Sequence, residues 1–363
     1  MEQIKTSELV SALSYALDLT EGQPMGHSAR VCILGMRIAA EIGMELDRRA
    51  ELYYTLLIKD AGCSSNASRM FHIIAADEVR AKADVKTTDW TRIGWDSLQY
   101  ALGHVATGKP FFERIRALAR VARHRPADSH TLVKIRCERG ASVALQMGFS
   151  QRVADGIYSL DEQWNGAGYP HHLRGDAIPL YSRIALLAQT LEVFWRQAGP
   201  DRAIEVARHR SGRWFDPLLV RAVASLARRG LLWSGLDSPT LLEDVRDLEP
   251  VEFRLQLSST RMDAICQALA EVVDAKSPFT YRHSNGVADA AVKIARTLAL
   301  PEREVVTLRR AALLHDIGKL SVPNTILEKP GKLDEAEWQV VKLHPFYSYE
   351  ILRRIPGFAT LSE

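Results

Sequence analysis

Apolar residues recur at helical spacing along most of the chain, and this periodicity predicts a succession of amphipathic helices. The predicted helices cover residues 7–20, 27–42, 47–60, 112–121, 132–145, 153–160, 178–191, two helices within 201–230, and then 263–273, 283–298, 302–314 and 334–343. Ser150 has the character of an N-cap for the helix that follows it. Strands do not alternate with helices anywhere, so the pattern predicts an all-α fold.

The segments between these helices suggest two modules. Residues 77–96 are polar with little pattern and are predicted to form a loop with short helices, while 161–170 are rich in glycine and end at a proline. Residues 231–256 contain Gly235, Pro239 and Pro250 and are predicted to be a linker, with a short strand at 251–257. The first module therefore spans residues 1–230 and the second spans 257–363.

Composition narrows the class of protein without identifying it. The chain has 363 residues, of which 47% are hydrophobic and 25% charged, and its net charge of +3 gives no case for direct nucleic-acid binding. No apolar run approaches the roughly 20 residues needed to cross a bilayer, and the N-terminus lacks the apolar core of a signal peptide. The four cysteines form no CxxC pair. We therefore expect a reduced, cytoplasmic protein without a membrane partner.

An internal repeat relates the two modules at a constant offset in residue number, 283 − 27 = 256. Under this offset both polar landmarks and apolar positions coincide without a gap. The matched pairs include His27 with His283, Ser28 with Ser284, Val31 with Val287, Ile38 with Ile294, Leu52 with Leu308, Asp60 with Asp316, and Gly62 with Gly318. The repeat predicts that the chain contains two copies of one helical unit.

The sharpest chemical feature is the adjacent pair His315 and Asp316 at the end of an apolar run. His283 lies before the preceding amphipathic helix, and His344 lies downstream. Imidazole and carboxylate together form the ligand set of a borderline divalent metal such as Fe, Mn or Zn. We therefore expect a metal site in the second module.

The residues around these candidate ligands, together with the glycine-rich loop of the first module, resemble the sequence pattern of the HD-GYP domain family. The first half of the family's pattern is followed by His283, by the run His315-Asp316-Ile317-Gly318-Lys319, by Pro323 and Lys329-Pro330-Gly331, and by His344-Pro345 and Ile351-Leu352. Its second half is followed by Glu162, Gly166, Gly168-Tyr169-Pro170, Gly175 and Ile178-Pro179. The first module thus carries the GYP loop, and the second carries the intact HD segment.

The resemblance implies an all-α protein of two tandem HD-type helical modules, the second incomplete, that hydrolyses cyclic di-GMP with bound Fe or Mn, or with Zn as the alternative. Carried over residue by residue, the metal ligands would be His283, His315, Asp316 and His344. Asp316 and Lys319 would take part in catalysis, Lys319 by contacting the phosphate. The GYP loop, Gly168, Tyr169 and Pro170, is expected to touch partner proteins.

The first module departs from the family's pattern where the chemistry would lie. His27 and Asp60 survive, but other positions have changed. The altered positions are Lys59 for the HD histidine, Arg136 for the next ligand histidine, Asp161 in place of a histidine, and Gln189 for the last aspartate. Lys59 and Arg136 are cationic and would repel a metal ion. We therefore expect the first module to be catalytically inactive, with a charged side chain in the place of the bound metal.

The second module reaches its end before the family's remaining ligands. Only 47 residues follow Asp316, since 363 − 316 = 47, so we expect either a truncated product or a site completed by another chain. A second interpretation is therefore a non-enzymatic signalling scaffold that forms a homo-oligomer or binds a partner signalling protein. A third interpretation is metal storage or the remnant of a split gene.

Overall fold

The computed structural model describes residues 6–66, 126–250, 258–280, 282–355 and 358. Within these ranges every regular element is a helix, and extended pairing is limited to the isolated bridges Asn165–Arg174 and Ser211–Phe215. This confirms the all-α prediction. Among the described helices, none combines the length and the apolar character required to cross a bilayer. The predicted loop at 77–96, helix at 112–121 and strand at 251–257 lie outside the described residues.

Fourteen α-helices are described. The first eight are α1 Thr6–Thr20, α2 His27–Glu41, α3 Leu46–Ile58, α4 Pro126–Gln146, α5 Gln151–Tyr158, α6 Leu180–His209, α7 Pro217–Arg228 and α8 Leu241–Asp247. The remaining six are α9 Ser259–Asp274, α10 His283–Thr297, α11 Glu302–Leu314, α12 Asn324–Leu327, α13 Glu335–Lys342 and α14 His344–Leu352. Short 3₁₀ turns cover Cys63–Asn66, Gly175–Ala177, Pro278–Thr280 and Ile317–Ser321. We call α1–α8 the first repeat and α9–α14 the second repeat.

Helix bounds reproduce the offset found in the sequence. The two ends of α10 follow the two ends of α2 by the same interval, since 283 − 27 = 297 − 41. The ends of α11 follow those of α3 by this interval too, since 302 − 46 = 314 − 58. Ser150 caps α5, since its hydroxyl accepts from the Val153 amide at 3.4 Å. Periodicity missed α8, α12 and α14, which are all short helices.

The segment predicted as a linker is partly ordered within the first repeat. Helix α8 lies inside residues 231–256, and its Leu241 and Val245 are buried. It packs against α1 and α2. The glycine and prolines that flank this short helix gave the segment the composition of a loop, although its apolar side chains reach the core.

A buried aspartate from the preceding helix caps the start of α2 and of α10. The residue before each helix, Gly26 or Arg282, has a left-handed backbone and provides no side-chain cap. Instead Asp18 accepts from the Ser28 amide at 3.0 Å and from its hydroxyl at 2.6 Å. In the second repeat Asp274 accepts from Ser284 in the same way, at 3.1 and 2.7 Å.

The two repeats pack against each other reciprocally. Helix α1 contacts the turn Ile317–Ser321 and α14 of the second repeat, while α9 contacts the turn Cys63–Asn66 and α4 of the first. One hydrophobic core runs through both repeats. At one end of this interface the Arg354 guanidinium lies 4.4 Å from the centre of the Tyr15 ring. The repeats therefore support each other's site-bearing turns.

In the first repeat other helices cover the face of α2, whereas the equivalent face of α10 in the second repeat is exposed to solvent. Helices α6 and α7 pack on α2, so Ile38 is fully buried, whereas the equivalent Ile294 on α10 is 60% exposed. Leu52 is likewise fully buried while Leu308 is 37% exposed. Within the described part of the second repeat, no counterpart of α6 lies on α10.

Asp18 is a buried acid with an altered proton affinity. Burial raises its pKa to about 7, and the nearby Asp60 carboxylate acts in the same direction, while Ser28 and the Lys59 ammonium act against it. Its Oδ2 atom has no hydrogen-bond partner among the described residues. Because the pKa in the unfolded chain is about 3.9, the folded protein binds an extra proton between about pH 4 and pH 7.

We predict that Asp18 makes the unfolding free energy fall as the pH rises through this window. Between pH 5 and pH 8 the parent chain should lose about 2 kcal/mol more stability than Asp18→Asn, which carries no titrating group there. Urea unfolding at a series of pH values measures the difference. Asp155→Asn, an exposed carboxylate on α5, is the matched control and should leave the slope unchanged. Parallel profiles for the parent and Asp18→Asn would contradict the prediction.

Candidate metal centre

In the second repeat, three histidines converge on one buried carboxylate. His283 is the first residue of α10, and His344 is the first residue of α14. His315 and Asp316 follow the last residue of α11. The Nε2 atoms of His283 and His315 lie 3.4 and 3.1 Å from Asp316 Oδ2, and His344 Nε2 lies 3.5 Å from Asp316 Oδ1. We call these four residues the His/Asp cluster.

Backbone carbonyls orient two of the imidazoles toward Asp316. His315 Nδ1 lies 2.8 Å from the Ala312 carbonyl oxygen, and His344 Nδ1 lies 2.7 Å from that of Val341. Because a carbonyl oxygen only accepts, each Nδ1 donates to it, and in the neutral imidazole the Nε2 atom keeps its lone pair for a metal. A hydrogen bond that fixes one ring nitrogen in this way is typical of metal-binding histidines.

The donor set fits a divalent metal. Ligand atoms of His283, His315 and Asp316 all lie within 4.8 Å of one another. The two histidines are partly exposed, with side-chain exposures of 44% and 38%, whereas the Asp316 side chain is only 6% exposed. The cluster thus combines a buried anion with accessible imidazoles, a donor set that suits Fe, Mn or Zn.

Asp316 stays ionised because cationic and hydrogen-bonding groups surround it. Burial by itself favours the neutral acid, but hydrogen bonds from His315 and Lys319 outweigh it and hold the pKa of Asp316 far below its usual value. The Lys319 ammonium lies 2.6 Å from Asp316 Oδ2. In turn, the Asp316 carboxylate raises the pKa of His315.

A close backbone approach fixes the turn after Asp316 against α14. A Cβ atom added to Gly318 would lie 1.9 Å from the His344 carbonyl oxygen and 2.6 Å from the Ser348 nitrogen. In the first repeat, a Cβ atom on Gly62 would lie 1.9 Å from the Arg136 carbonyl oxygen. Arg136 therefore occupies in the first repeat the place that His344 has in the second.

The corresponding region of the first repeat is a connected set of ion pairs. Lys59 pairs with the adjacent Asp60, and Arg136 pairs with Asp161. Cys63 Sγ lies 3.7 Å from Asp60 Oδ1 and 4.0 Å from Arg136 Nη1, which joins the two pairs. Both Lys59 and Asp60 are nearly inaccessible to solvent. The structure thus brings together four of the six predicted remnant residues.

His27 has a carboxylate partner that the sequence did not reveal. Its Nδ1 lies 2.5 Å from Glu192 Oε2, and the Arg30 guanidinium donates to Glu192 Oε1 at 2.6 Å. All three side chains are buried. Burial opposes ionisation of Glu192, but His27 and Arg30 outweigh it and lower its pKa. The signal in the sequence was a single acidic residue within the largely apolar run 186–194.

The first repeat also contains Gln189 and a group of buried acids. Gln189 lies on α6, is almost buried, and its Oε1 has no hydrogen-bond partner among the described residues. Glu21, Asp60 and Cys63 form a second group whose ligand atoms lie within 4.8 Å of one another, and all three are buried. This group lies beside the buried Lys59 ammonium and the Arg136 guanidinium, whereas the ammonium beside the His/Asp cluster, that of Lys319, is partly exposed.

The GYP loop forms a tight turn that packs on α4. A Cβ atom on Gly168 would lie 2.2 Å from the Gln163 nitrogen, so only glycine fits there. The Tyr169–Pro170 peptide is cis, and the Pro170 carbonyl oxygen lies 2.8 Å from His130 Nε2. Buried Glu162 holds the segment after the loop by accepting from the His171 and Leu173 backbone amides at 2.6 and 2.9 Å.

Comparisons with known proteins agree with this architecture. Two HD domain family models match the chain, one at residues 280–361 and the other at residues 110–219. The first match contains the whole His/Asp cluster. The second contains Arg136, Asp161, the GYP loop and Gln189.

Curated relatives and a solved structure extend the likeness to nearly the whole chain. The chain is 42% identical to the 3'3'-cGAMP-specific phosphodiesterase 3 of Vibrio cholerae serotype O1, over 98% of this chain and 77% of that protein. It is 48% identical to a cyclic di-GMP phosphodiesterase of Pseudomonas aeruginosa, over 18% of this chain and 16% of that protein. The crystal structure of a cyclic GMP-AMP specific phosphodiesterase of V. cholerae, V-cGAP3, aligns with a TM-score of 0.72 at 40% identity, covering 99% of this chain and 82% of that chain.

We predict that the turn after Asp316 tolerates no side chain at Gly318. Gly318→Ala should destabilise the chain by about 3 kcal/mol or shift α14, because two backbone atoms lie where its Cβ would be. Gly286→Ala is the matched control. A Cβ at this position in α10 would meet no atom within 4 Å, so it should stabilise by about 0.5–1 kcal/mol. Chemical denaturation measures both variants, and equal stability of Gly318→Ala and the parent would contradict the prediction.

Proposed function

The chain belongs to the HD-GYP family of HD-domain phosphodiesterases, and on this basis we propose that it hydrolyses a cyclic dinucleotide at the His/Asp cluster. The observation that carries the proposal is the convergence of three imidazole nitrogens and a lysine on the buried Asp316 carboxylate. A phosphodiester carries negative charge and its hydrolysis develops more, so a site of metal ligands and a nearby ammonium suits it.

The residues of the cluster have distinct roles in this proposal. His283, His315, Asp316 and His344 would hold the divalent metal, which supplies Lewis acidity toward the phosphodiester when bound. Asp316 supplies the negative charge, and its depressed pKa keeps it ionised at neutral pH.

Lys319 would exchange its contact with Asp316 for one with a substrate phosphate. Its ammonium lies 2.6 Å from the Asp316 carboxylate, yet its side chain is 24% exposed and so remains accessible to a ligand. An ammonium is a compact charge on a flexible stem, which allows this change of partner without movement of the backbone.

We propose 3'3'-cGAMP as the preferred substrate, with cyclic di-GMP as the alternative that the family resemblance implies. Support for cGAMP comes from the relative that covers nearly the whole chain and carries this specificity in its name. The cyclic di-GMP phosphodiesterase matches a much shorter stretch. Either substrate presents the same phosphodiester to the cluster, so the two differ only in the bases that the protein must recognise.

We further propose that the first repeat binds no catalytic metal because tethered cations replace it. Lys59 stands at the position of His315, and Arg136 stands at the position of His344. Each is paired with a carboxylate that would otherwise attract a metal. A divalent ion in close contact with either cation would be repelled by about 1 kcal/mol or more.

The activity is tested with the chain loaded with Mn²⁺ or Fe²⁺ and each dinucleotide in turn. We predict release of linear product from 3'3'-cGAMP at a higher kcat/KM than from cyclic di-GMP, measured by chromatography. Asp316→Ala should reduce the rate about 10³-fold or more, because the carboxylate at the centre of the cluster is lost. Asp60→Ala, the same change at the equivalent position of the first repeat, should retain it.

Two outcomes would contradict this proposal. Equal turnover by the parent chain and Asp316→Ala would place the chemistry elsewhere. No turnover of either dinucleotide by metal-loaded chain, together with a partner interaction that survives Asp316→Ala, would favour the signalling scaffold instead.

The metal content of each repeat is tested on crystals of the chain soaked in Fe²⁺ or Mn²⁺. We predict anomalous scattering at the His/Asp cluster and none beside Asp60. Asp316→Asn crystals should lose the signal at the second repeat, which provides the control for specific binding. A metal held by Glu21, Asp60 and Cys63 would overturn the proposal that cations silence the first repeat.

A further inference from the structure

Ser348 lies one helical turn after His344 and joins α14 to the turn that carries Asp316. Its hydroxyl accepts from the Gly318 amide at 2.9 Å and donates to the His315 carbonyl oxygen at 3.0 Å. Ser348 is buried, so water does not compete readily for these bonds. The two backbone groups lie on either side of Asp316 in the sequence, so one hydroxyl bridges the chain across this residue.

These bonds link two parts of the His/Asp cluster that lie far apart in the sequence. His315 and Asp316 follow α11, whereas His344 begins α14, and the helices α12 and α13 lie between them in the sequence. The glycine at 318 allows the two backbones to touch, but a contact between backbones does not by itself prevent sliding. The directional bonds of Ser348 fix the distance and the angle between them.

The first repeat provides a natural comparison. Gly140 follows Arg136 by four positions, as Ser348 follows His344, and its amide nitrogen lies against Gly62. A Cβ atom on Gly140 would lie 2.8 Å from Ile157 Cγ2, so α5 leaves no room for a side chain there. The bridging hydroxyl is thus present in the second repeat, which has the His/Asp cluster. The first repeat, which lacks that set of histidines, has no side chain at the equivalent position.

We propose that Ser348 is a positioning residue, which holds the His315–Gly318 turn against α14 so that His344 faces the same ion as His315 and Asp316. The inference rests on the proposed metal-dependent function, but it concerns metal binding and does not require turnover. Ser348 itself touches neither metal nor substrate. Loss of such a supporting hydrogen bond at a metal site typically lowers metal affinity by roughly 10- to 100-fold.

The test measures the Mn²⁺ dissociation constant of the full chain, by electron paramagnetic resonance of free Mn²⁺, for the parent, for Asp316→Ala and for four further variants. Ser348→Ala removes the bridging hydroxyl and its two hydrogen bonds. Ser321→Ala is the matched control, because its hydroxyl donates at 2.8 Å to the Gly318 carbonyl oxygen within the same turn and does not reach α14. His344→Ala and the double variant His344→Ala/Ser348→Ala complete a double-mutant cycle.

We expect Ser348→Ala to weaken Mn²⁺ binding about 10-fold or more while Ser321→Ala stays within about 2-fold of the parent. In the His344→Ala background, removal of the Ser348 hydroxyl should have little further effect, since the ligand that it positions is already gone. A loss that is the same in both backgrounds would indicate general destabilisation of the fold and would overturn the proposal. Unchanged affinity of Ser348→Ala would also overturn it.

Failure of the proposed function is recognised separately. If Asp316→Ala abolishes Mn²⁺ binding and the cycle shows coupling, but no cyclic dinucleotide is hydrolysed, the positioning role stands and the enzymatic proposal falls. If the parent chain binds no Mn²⁺ that depends on Asp316, both are overturned.

Discussion

The close contact of a glycine turn with a helix from a distant part of the chain determines the geometry of both repeats. At Gly62 and at Gly318 the chain comes so close to another backbone that a single Cβ atom would lie 1.9 Å from a carbonyl oxygen. The contact brings Asp60 or Asp316 next to a helix from a distant part of the sequence. It therefore decides which residue, Arg136 or His344, becomes the neighbour of the aspartate.

Each of these aspartates is buried, and a buried carboxylate requires compensation. The second repeat supplies it with accessible imidazoles and with Lys319, groups that can rearrange when a metal or a phosphate arrives. The first repeat supplies it with Lys59, an ammonium that is itself buried and belongs to the adjacent residue in the chain. The same fold thus compensates a buried carboxylate in two ways. Of the two, only the imidazoles of the second repeat offer nitrogen lone pairs to a metal.

Much of this could be predicted from the sequence because the relevant signals are local. Helical periodicity predicted the all-α fold, and the constant offset between matched residues predicted the repeat, which the observed bounds of α10 and α11 follow. The members of the His/Asp cluster were recognisable from adjacent residues and short spacings. Lys59 was recognisable as the counterpart of His315 because the repeats could be read side by side, whereas the prediction that Arg136 replaces a ligand histidine came from the family resemblance.

What could not be predicted depends on contacts between distant residues. Glu192 lies far from His27 in the sequence, and nothing in its own neighbourhood marks it as the partner of an imidazole. Ser348 has the appearance of an ordinary helical serine until α14 is seen to lie on the Gly318 turn. The short helices α8 and α14 bury few residues each, so their apolar pattern was too brief to be distinguished from a loop.

Reciprocal packing gives the first repeat a structural role that does not depend on metal binding. Helix α1 lies against the turn Ile317–Ser321 and against α14, the two elements whose register places His344 beside Asp316. The same helix carries Asp18, which caps α2, and so its position depends on the first repeat being folded. A change in the first repeat that moves this helix would therefore reach the His/Asp cluster through its packing on these two elements.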